Sequence, residues 1–228
     1  MPRRLSARLE AVAKLIPDGA YLADIGSDHA FLPIALVQRG KISYAQAVDN
    51  KMGPFLRMKA NVEDAGLESR ITLTNADGLD ELVDGANCLS ICGVGGLLTC
   101  QILEKHPEKL VNIRTIVCDP HKDLVAVRKR VSALGYHIAA ETMVYENKIY
   151  YAIIRFDKGE RARPYDAMDL YFGPIARKER SQVYLDWIEE NRKIVSSHLK
   201  KNLPPEKREH YLKLYRALAK QLKGNEGN

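Results

Sequence analysis

Between residues 20 and 134 five short apolar runs alternate with helical patterns, and this alternation narrows the fold more than any other feature. The runs 20–25, 42–48, 71–74, 87–92 and 113–118 read as strands. The stretches 30–39, 53–65, 96–104 and 124–134 carry the three-to-four-residue spacing of helices. A leading amphipathic helix over 5–16, with Leu5, Leu9, Val12 and Ile16 on one stripe and Ser6 as its cap, precedes them. Strands joined through helices require right-handed crossovers and give a parallel, doubly wound, Rossmann-like α/β sheet. After Gly135 the pattern changes to 137–145, the turn Asn147-Lys148 and 149–156, which predicts an antiparallel hairpin closing one edge of the sheet.

The polar, breaker-rich segment 158–164 predicts a boundary between a domain at 1–158 and a tail at 159–228. The tail carries two amphipathic patterns. Tyr184, Trp187, Ile188, Val195 and Leu199 mark the first stripe, and Tyr211, Leu214, Tyr215, Leu218 and Leu222 the second, with Asn202-Leu203-Pro204-Pro205 between them. Stripes this narrow fit a helical hairpin, in which the aromatic residues pack rather than stack on bases. Of the net charge of +6, a surplus of +5 lies from Gly159 onward, where 15 Lys and Arg face 10 Asp and Glu. A basic exposed tail favours a polyanionic partner.

Two classes are disfavoured. No apolar run approaches the ~18 residues of a membrane span, and Met1-Pro2-Arg3-Arg4 leads into an amphipathic stretch, so a cytoplasmic protein without membrane association is expected. Cys88 and Cys92 lie four residues apart in a strand, roughly 13 Å, too far to grip one metal ion together. The four cysteines are therefore read as buried, reduced thiols, with no metal site. No obligate protein partner is evident.

Ligands of open α/β sheets sit beyond the carboxyl ends of the strands. Those ends carry Asp24-Ile25-Gly26-Ser27-Asp28-His29, then Asp49-Asn50, Asn75-Ala76-Asp77-Gly78, Gly93-Val94-Gly95-Gly96 and Asp119-Pro120. A glycine turn at Gly26 and an acid 23 residues on, Asp49, also fit a dinucleotide site. Charge separates the cofactors. Asp24 and Asp28 would repel a pyrophosphate but stabilise the ammonium and sulfonium of S-adenosylmethionine (SAM). Asp49 would then accept from the ribose hydroxyls and Asp77 from the adenine amino group. A nicotinamide cofactor and a non-catalytic α/β domain stay open on the residues alone.

The run Leu22 to Pro33, containing Asp24-Ile25-Gly26-Ser27-Asp28-His29-Ala30, together with Gly53-Pro54, Ala76-Asp77-Gly78-Leu79 and Gly93-Val94-Gly95-Gly96, resembles the bacterial TrmK family. That family methylates N1 of the adenosine at position 22 of tRNA. The resemblance runs from the first helix to Phe156 and into the helical tail. It implies a SAM-dependent enzyme acting on tRNA, with cofactor contacts at Asp24, Gly26, Ser27, Asp28, His29, Asp49, Asn50, Ala76, Asp77, Gly78 and Gly93. Two positions depart from the family pattern: Val94 stands where Met is usual and Asp119 where Gln is expected.

Adenine N1 has an unprotonated lone pair at neutral pH, so the reaction needs orientation and exclusion of water more than activation. N1 lies on the pairing edge, so the base must be unpaired and rotated into the pocket. Asp28 and His29 are candidates to stabilise the cationic product or take the amino proton, and Gly93 and Gly95 to let the base approach the backbone. Asp119-Pro120-His121 is similar to the Asp-Pro-Pro-Tyr element of amino-methyltransferases only in its first two residues, and reads as a loop. Methylation of another RNA nitrogen or a small molecule, or RNA binding without catalysis, are the alternatives.

Overall fold

The computed structural model describes residues 3–159, 161 and 163–223; Met1 and Pro2 of the leading segment and Glu160 and Ala162 of the expected linker lie outside the described residues. Two compact units emerge, Met1–Ile175 and Ala176–Asn228.

In the first unit the alternation resolves into α1 (Ala7–Leu15), β1 (Leu22–Ile25), α2 (Phe31–Gln38), β2 (Ala45–Val48), α3 (Met52–Asp64), β3 (Ile71–Thr74), β4 (Cys88–Cys92), α4 (Gly96–Lys105), β5 (Thr115–Asp119) and α5 (Leu124–Ala133). The hairpin follows as β6 (Tyr136–Glu146) and β7 (Ile149–Lys158). The sheet order is β3-β2-β1-β4-β5-β7-β6. The first five strands pair in parallel, while β7 runs antiparallel to both β5 and β6. The chain order reverses between β1 and β4, the switch point at which such sheets open a crevice.

Because successive strand residues face opposite sides, each strand feeds two cores. Leu22, Cys88, Val117 and Ile153 join Val12 of α1, Leu36 of α2 and Met58 of α3 on one face. Ile25, Leu89, Ile91, Ile116 and Phe156 join Leu103 of α4 and Val127 of α5 on the other. The leading helix is held at both ends of its first turn. Ser6 caps it by accepting the Leu9 N–H, and the Glu146 carboxylate of β6 accepts the Ala7 N–H at 2.7 Å. A carboxylate at helix N–H groups both satisfies orphan donors and meets the positive end of the helix dipole.

The first unit extends beyond the expected boundary at residue 158. The Tyr165 hydroxyl oxygen accepts the Ile138 N–H at 2.7 Å, and a short helix, α6 (Ala167–Phe172), packs against α5. Arg128 of α5 donates to the Leu170 and Tyr171 carbonyls at 2.8 and 3.1 Å and to Glu141 at 2.9 Å; Glu141 also accepts the Ile175 N–H at 3.0 Å. The Arg128 and Glu141 side chains are 3% and 2% exposed. The breaker-rich segment is thus a loop followed by a return of the chain to the same unit.

The second unit holds the single turn α7 (Ala176–Glu179) and the helices α8 (Gln182–Leu199) and α9 (Pro205–Lys223). Contacts pair Tyr184 with Gln221, Arg192 with Tyr215 and His198 with Tyr211, so the two long helices run antiparallel. Of the two stripes, Tyr184, Ile188, Val195 and Leu218 are buried and the other six residues half-buried. No helix among the described residues is long and apolar enough to cross a membrane.

Candidate active site

A cavity of about 890 Å³ opens at the carboxyl ends of β1, β2 and β4. Its lining includes Asp24, Gly26, Ser27, Asp28, His29, Asp49, Asn50, Ala76, Asp77, Gly78 and Gly93, so the residues singled out as cofactor contacts converge on one space. Gly95 does not line it; that residue is exposed and stands as the N-cap of α4. Gly96 is turned away altogether, because a Cβ there would collide with the Lys122 carbonyl and lie 2.8 Å from Val127.

The acids around the cavity stand in different surroundings. Asp24 is 4% exposed and accepts hydroxyl hydrogen bonds from Ser27 at 2.5 Å and Ser90 at 2.6 Å. Burial raises its carboxyl above the usual range, and the two serines pull it back. Asp49 and Asp77 sit at the open rim. Asp49 accepts the Lys51 N–H at 3.0 Å, while Asp77 accepts from Asn50 at 3.2 Å and pairs with Lys105 at 3.2 Å. The loop joining β1 to α2 is fixed by the Gly26 and Ser27 N–H groups, which donate to the Val48 carbonyl at 2.9 and 3.0 Å. It then passes through left-handed backbone at Asp28 and Ala30. Asp28 is ion-paired with Arg57, and the His29 ring stacks on Phe31 with centroids 4.7 Å apart.

Period-two alternation puts Asp24, Ser90, Cys92 and Asp119 on the sheet face that α1 covers. There Asp119, fully buried, accepts the Gly93 N–H at 2.7 Å and is ion-paired with Arg8 of α1. Burial raises the Asp119 carboxyl, offset by Arg8 and the Gly93 amide. Burial disfavours the Arg8 charge, but the adjacent Asp119 outweighs it and the guanidinium is held above its ordinary value. The Cys92 thiol is pushed well up by burial, with Asp119 and Asp24 adding to the effect, and so stays protonated. Tyr151 of β7 and His121 meet edge to face at 5.1 Å, and both line the cavity beside Arg8. Reasoning from the sequence missed Arg8, Arg57, His121 and Tyr151.

The donor set fits SAM. Carboxylates at three successive strand ends suit a ligand rich in donors and positive charge, and Gly26, at φ +73°, supplies the left-handed backbone with which the turn leaves β1 beside them.

A family model described as a methyltransferase domain matches residues 5–154. The tRNA (adenine(22)-N(1))-methyltransferase of Bacillus subtilis is 37% identical over 193 residues, covering 82% of this chain and 81% of that protein. This chain belongs to the TrmK family of methyltransferases. The crystal structure of the B. subtilis TrmK superposes with a TM-score of 0.86 at 31% identity, covering 96% of this chain and 99% of that one. A Streptococcus pneumoniae relative solved in complex with S-adenosyl-L-methionine gives a TM-score of 0.89 at 33% identity, over 96% of this chain and all of the other. The chain is accordingly a SAM-dependent methyltransferase.

Proposed function

We propose that this TrmK-family chain transfers the methyl group of SAM to N1 of adenosine 22 in tRNA. The observation that carries the reading is the convergence of Asp24, Asp49 and Asp77 on one cavity that the Gly93 turn also lines, in a chain whose relatives carry that activity.

Asp24, through its own charge and the Ser27 hydroxyl it orients, faces the amino-acid end of the cofactor. Asp49 has one oxygen engaged by the Lys51 amide and offers the other to ribose hydroxyls. Asp77, steadied by Asn50 and Lys105, accepts from the adenine amino group. When bound, SAM supplies an already electrophilic methyl group, so the protein need not activate either partner strongly. Its own residues orient, exclude water and balance charge, and orientation alone supplies several kcal/mol. Asp28 and His29 stand where they offset the positive charge left on N1-methyladenine, and the ion pair with Arg57 holds Asp28 in place. Asp119 is not free to accept protons from an amino nitrogen, since Arg8 and the Gly93 amide occupy it; this favours N1 over N6.

The hairpin of α8 and α9 is assigned to tRNA. Residues 176–228 carry 13 Lys and Arg against 7 Asp and Glu, a surplus suited to phosphate contacts. Labelled methyl transfer to unmodified tRNA, followed by mass spectrometry of the digested nucleosides, tests the whole reading. N1-methyladenosine is expected, and tRNA with guanosine at position 22 should be inert because its N1 bears a proton. N6-methyladenosine, or transfer undiminished by the replacement, overturns it.

A further inference from the structure

The leading helix contributes Arg8 and Leu9 to the cavity wall, and Arg8 is its charged group there. Arg8 is 20% exposed, and its Nη1 is paired with Asp119, a carboxylate with no exposure to solvent. The other oxygen of that carboxylate holds the Gly93 N–H at 2.7 Å. Gly93, at φ +73°, is the pivot between β4 and the turn that leads into α4, and a Cβ on it would lie 3.9 Å from the Arg8 guanidinium. Arg8 is itself aimed: Glu146 accepts the α1 N–H groups of Ala7 and Arg8 at 2.7 and 3.5 Å, and the guanidinium lies 5.4 Å from the Tyr151 ring centroid. A chain of contacts therefore runs from β6 through α1 to the end of β5 and on to the Gly93 amide.

A buried carboxylate holds a neutral amide only while its charge is balanced; unpaired, it takes a proton or swings toward water, and the amide is released. We propose that Arg8 is a positioning residue for methyl transfer, pairing with Asp119 so that Asp119 holds the Gly93 turn against which the acceptor base lies. The inference rests on reading the cavity as the transfer site. It also accounts for an acid at position 119: the charge is tolerated because Arg8 balances it.

The test compares wild type with Arg8→Ala, Arg8→Lys, Asp119→Asn and the double variant Arg8→Ala/Asp119→Asn, by single-turnover methylation of unmodified tRNA, calorimetric SAM affinity and the NMR shift of the Gly93 amide proton. Arg8→Ala should lower the transfer rate about 100-fold, the scale of an ångström-level misplacement, while SAM affinity stays within about twofold. Its Gly93 amide proton should move upfield as the charge-assisted bond is lost. Arg8→Lys should fall between the two. The double variant keeps an acceptor for Gly93 without a charge to balance, so it should regain at least about tenfold of the lost rate, a coupling expected of residues acting through one another.

Wild-type rates in Arg8→Ala overturn the inference. A folded double variant no faster than Arg8→Ala also overturns it, since Arg8 would then act on the substrate directly. A wild-type protein that binds SAM but methylates no tRNA sinks the functional reading instead. In that case the Gly93 shift still decides whether Arg8 holds the turn.

Discussion

Two of the arginine–carboxylate pairs described in the first unit have a buried carboxylate, and they differ in what surrounds them. Arg128 and Glu141 are closed on all sides, with the arginine bonded to two backbone carbonyls and the glutamate to a backbone amide. Arg8 borders the cavity with Asp119 buried behind it, and among the described residues the Arg8 guanidinium donates through Nη1 alone. The closed pair locks the segment before Ile175 onto α5 and β6. The open pair leaves donors unspent beside the space where substrate enters. The same chemical pair thus serves stability in one place and alignment in the other, and what separates the two uses is the number of partners each group has left.

The largest effect should come from breaking the closed pair. Arg128→Ala is expected to cost about 3–5 kcal/mol of unfolding free energy, because it strands a buried carboxylate. Arg8→Ala should cost less in the same denaturant titrations, since Arg8 itself lines the cavity and its removal opens Asp119 to water. Equal losses would break the comparison.

Next in size is cofactor binding. Asp24→Ala should weaken SAM by roughly 1.5 to 3 kcal/mol in isothermal titration, the worth of a charge-assisted partner. A folded Glu141→Gln variant should bind SAM like wild type, and parallel losses in both would show that the two regions are not independent.

The buried cavity acid also sets a pH dependence. Burial raises the folded Asp24 carboxyl above its unfolded value. Keeping it ionised therefore costs the folded state; the cost is fully present above the folded value and disappears as pH falls below the unfolded one. Asp24→Asn should raise the melting temperature at neutral pH while weakening SAM, and its advantage should shrink on acidification through the carboxylate range. A constant difference across pH would assign the gain to something other than ionisation.

The smallest effect concerns the aim of α1. Glu146→Ala should cost about 1 kcal/mol of stability, as for loss of a helix N-cap. It should reduce methyl transfer modestly, and in the same direction as Arg8→Lys.

Most of the sheet was legible because each strand is short, apolar and punctuated by Gly or Pro, so that period and breakers agreed from residues 20 to 134. The acids at the strand ends were legible for a topological reason: a parallel sheet brings those ends together whatever the loops do. Arg8 was not. Its partner lies 111 residues away, and nothing local distinguishes it from a solvated arginine on an amphipathic helix. Tyr151 and His121 were hidden in the same way, since their meeting depends on β7 inserting beside β5. The Pro107–Leu110 turn of 3-10 helix, α6 and α7 escaped because one or two turns show no period. The expected end of the first domain at residue 158 followed from breakers that mark a surface loop, whereas the return of the chain through Arg128 has no signature in composition.

Gly96 has a consequence for how this enzyme would look to saturation mutagenesis. Its α-hydrogen side abuts the Lys122 carbonyl, so even alanine must push apart the starts of α4 and α5. Leu98 and Ile102 of the first of these helices line the cavity, and the backbone there cannot yield cheaply. An activity-based library would therefore score position 96 as intolerant as Asp24, although it does not line the cavity. A map of the active site drawn from inactive variants alone would be displaced toward a residue whose whole contribution is to take up no room.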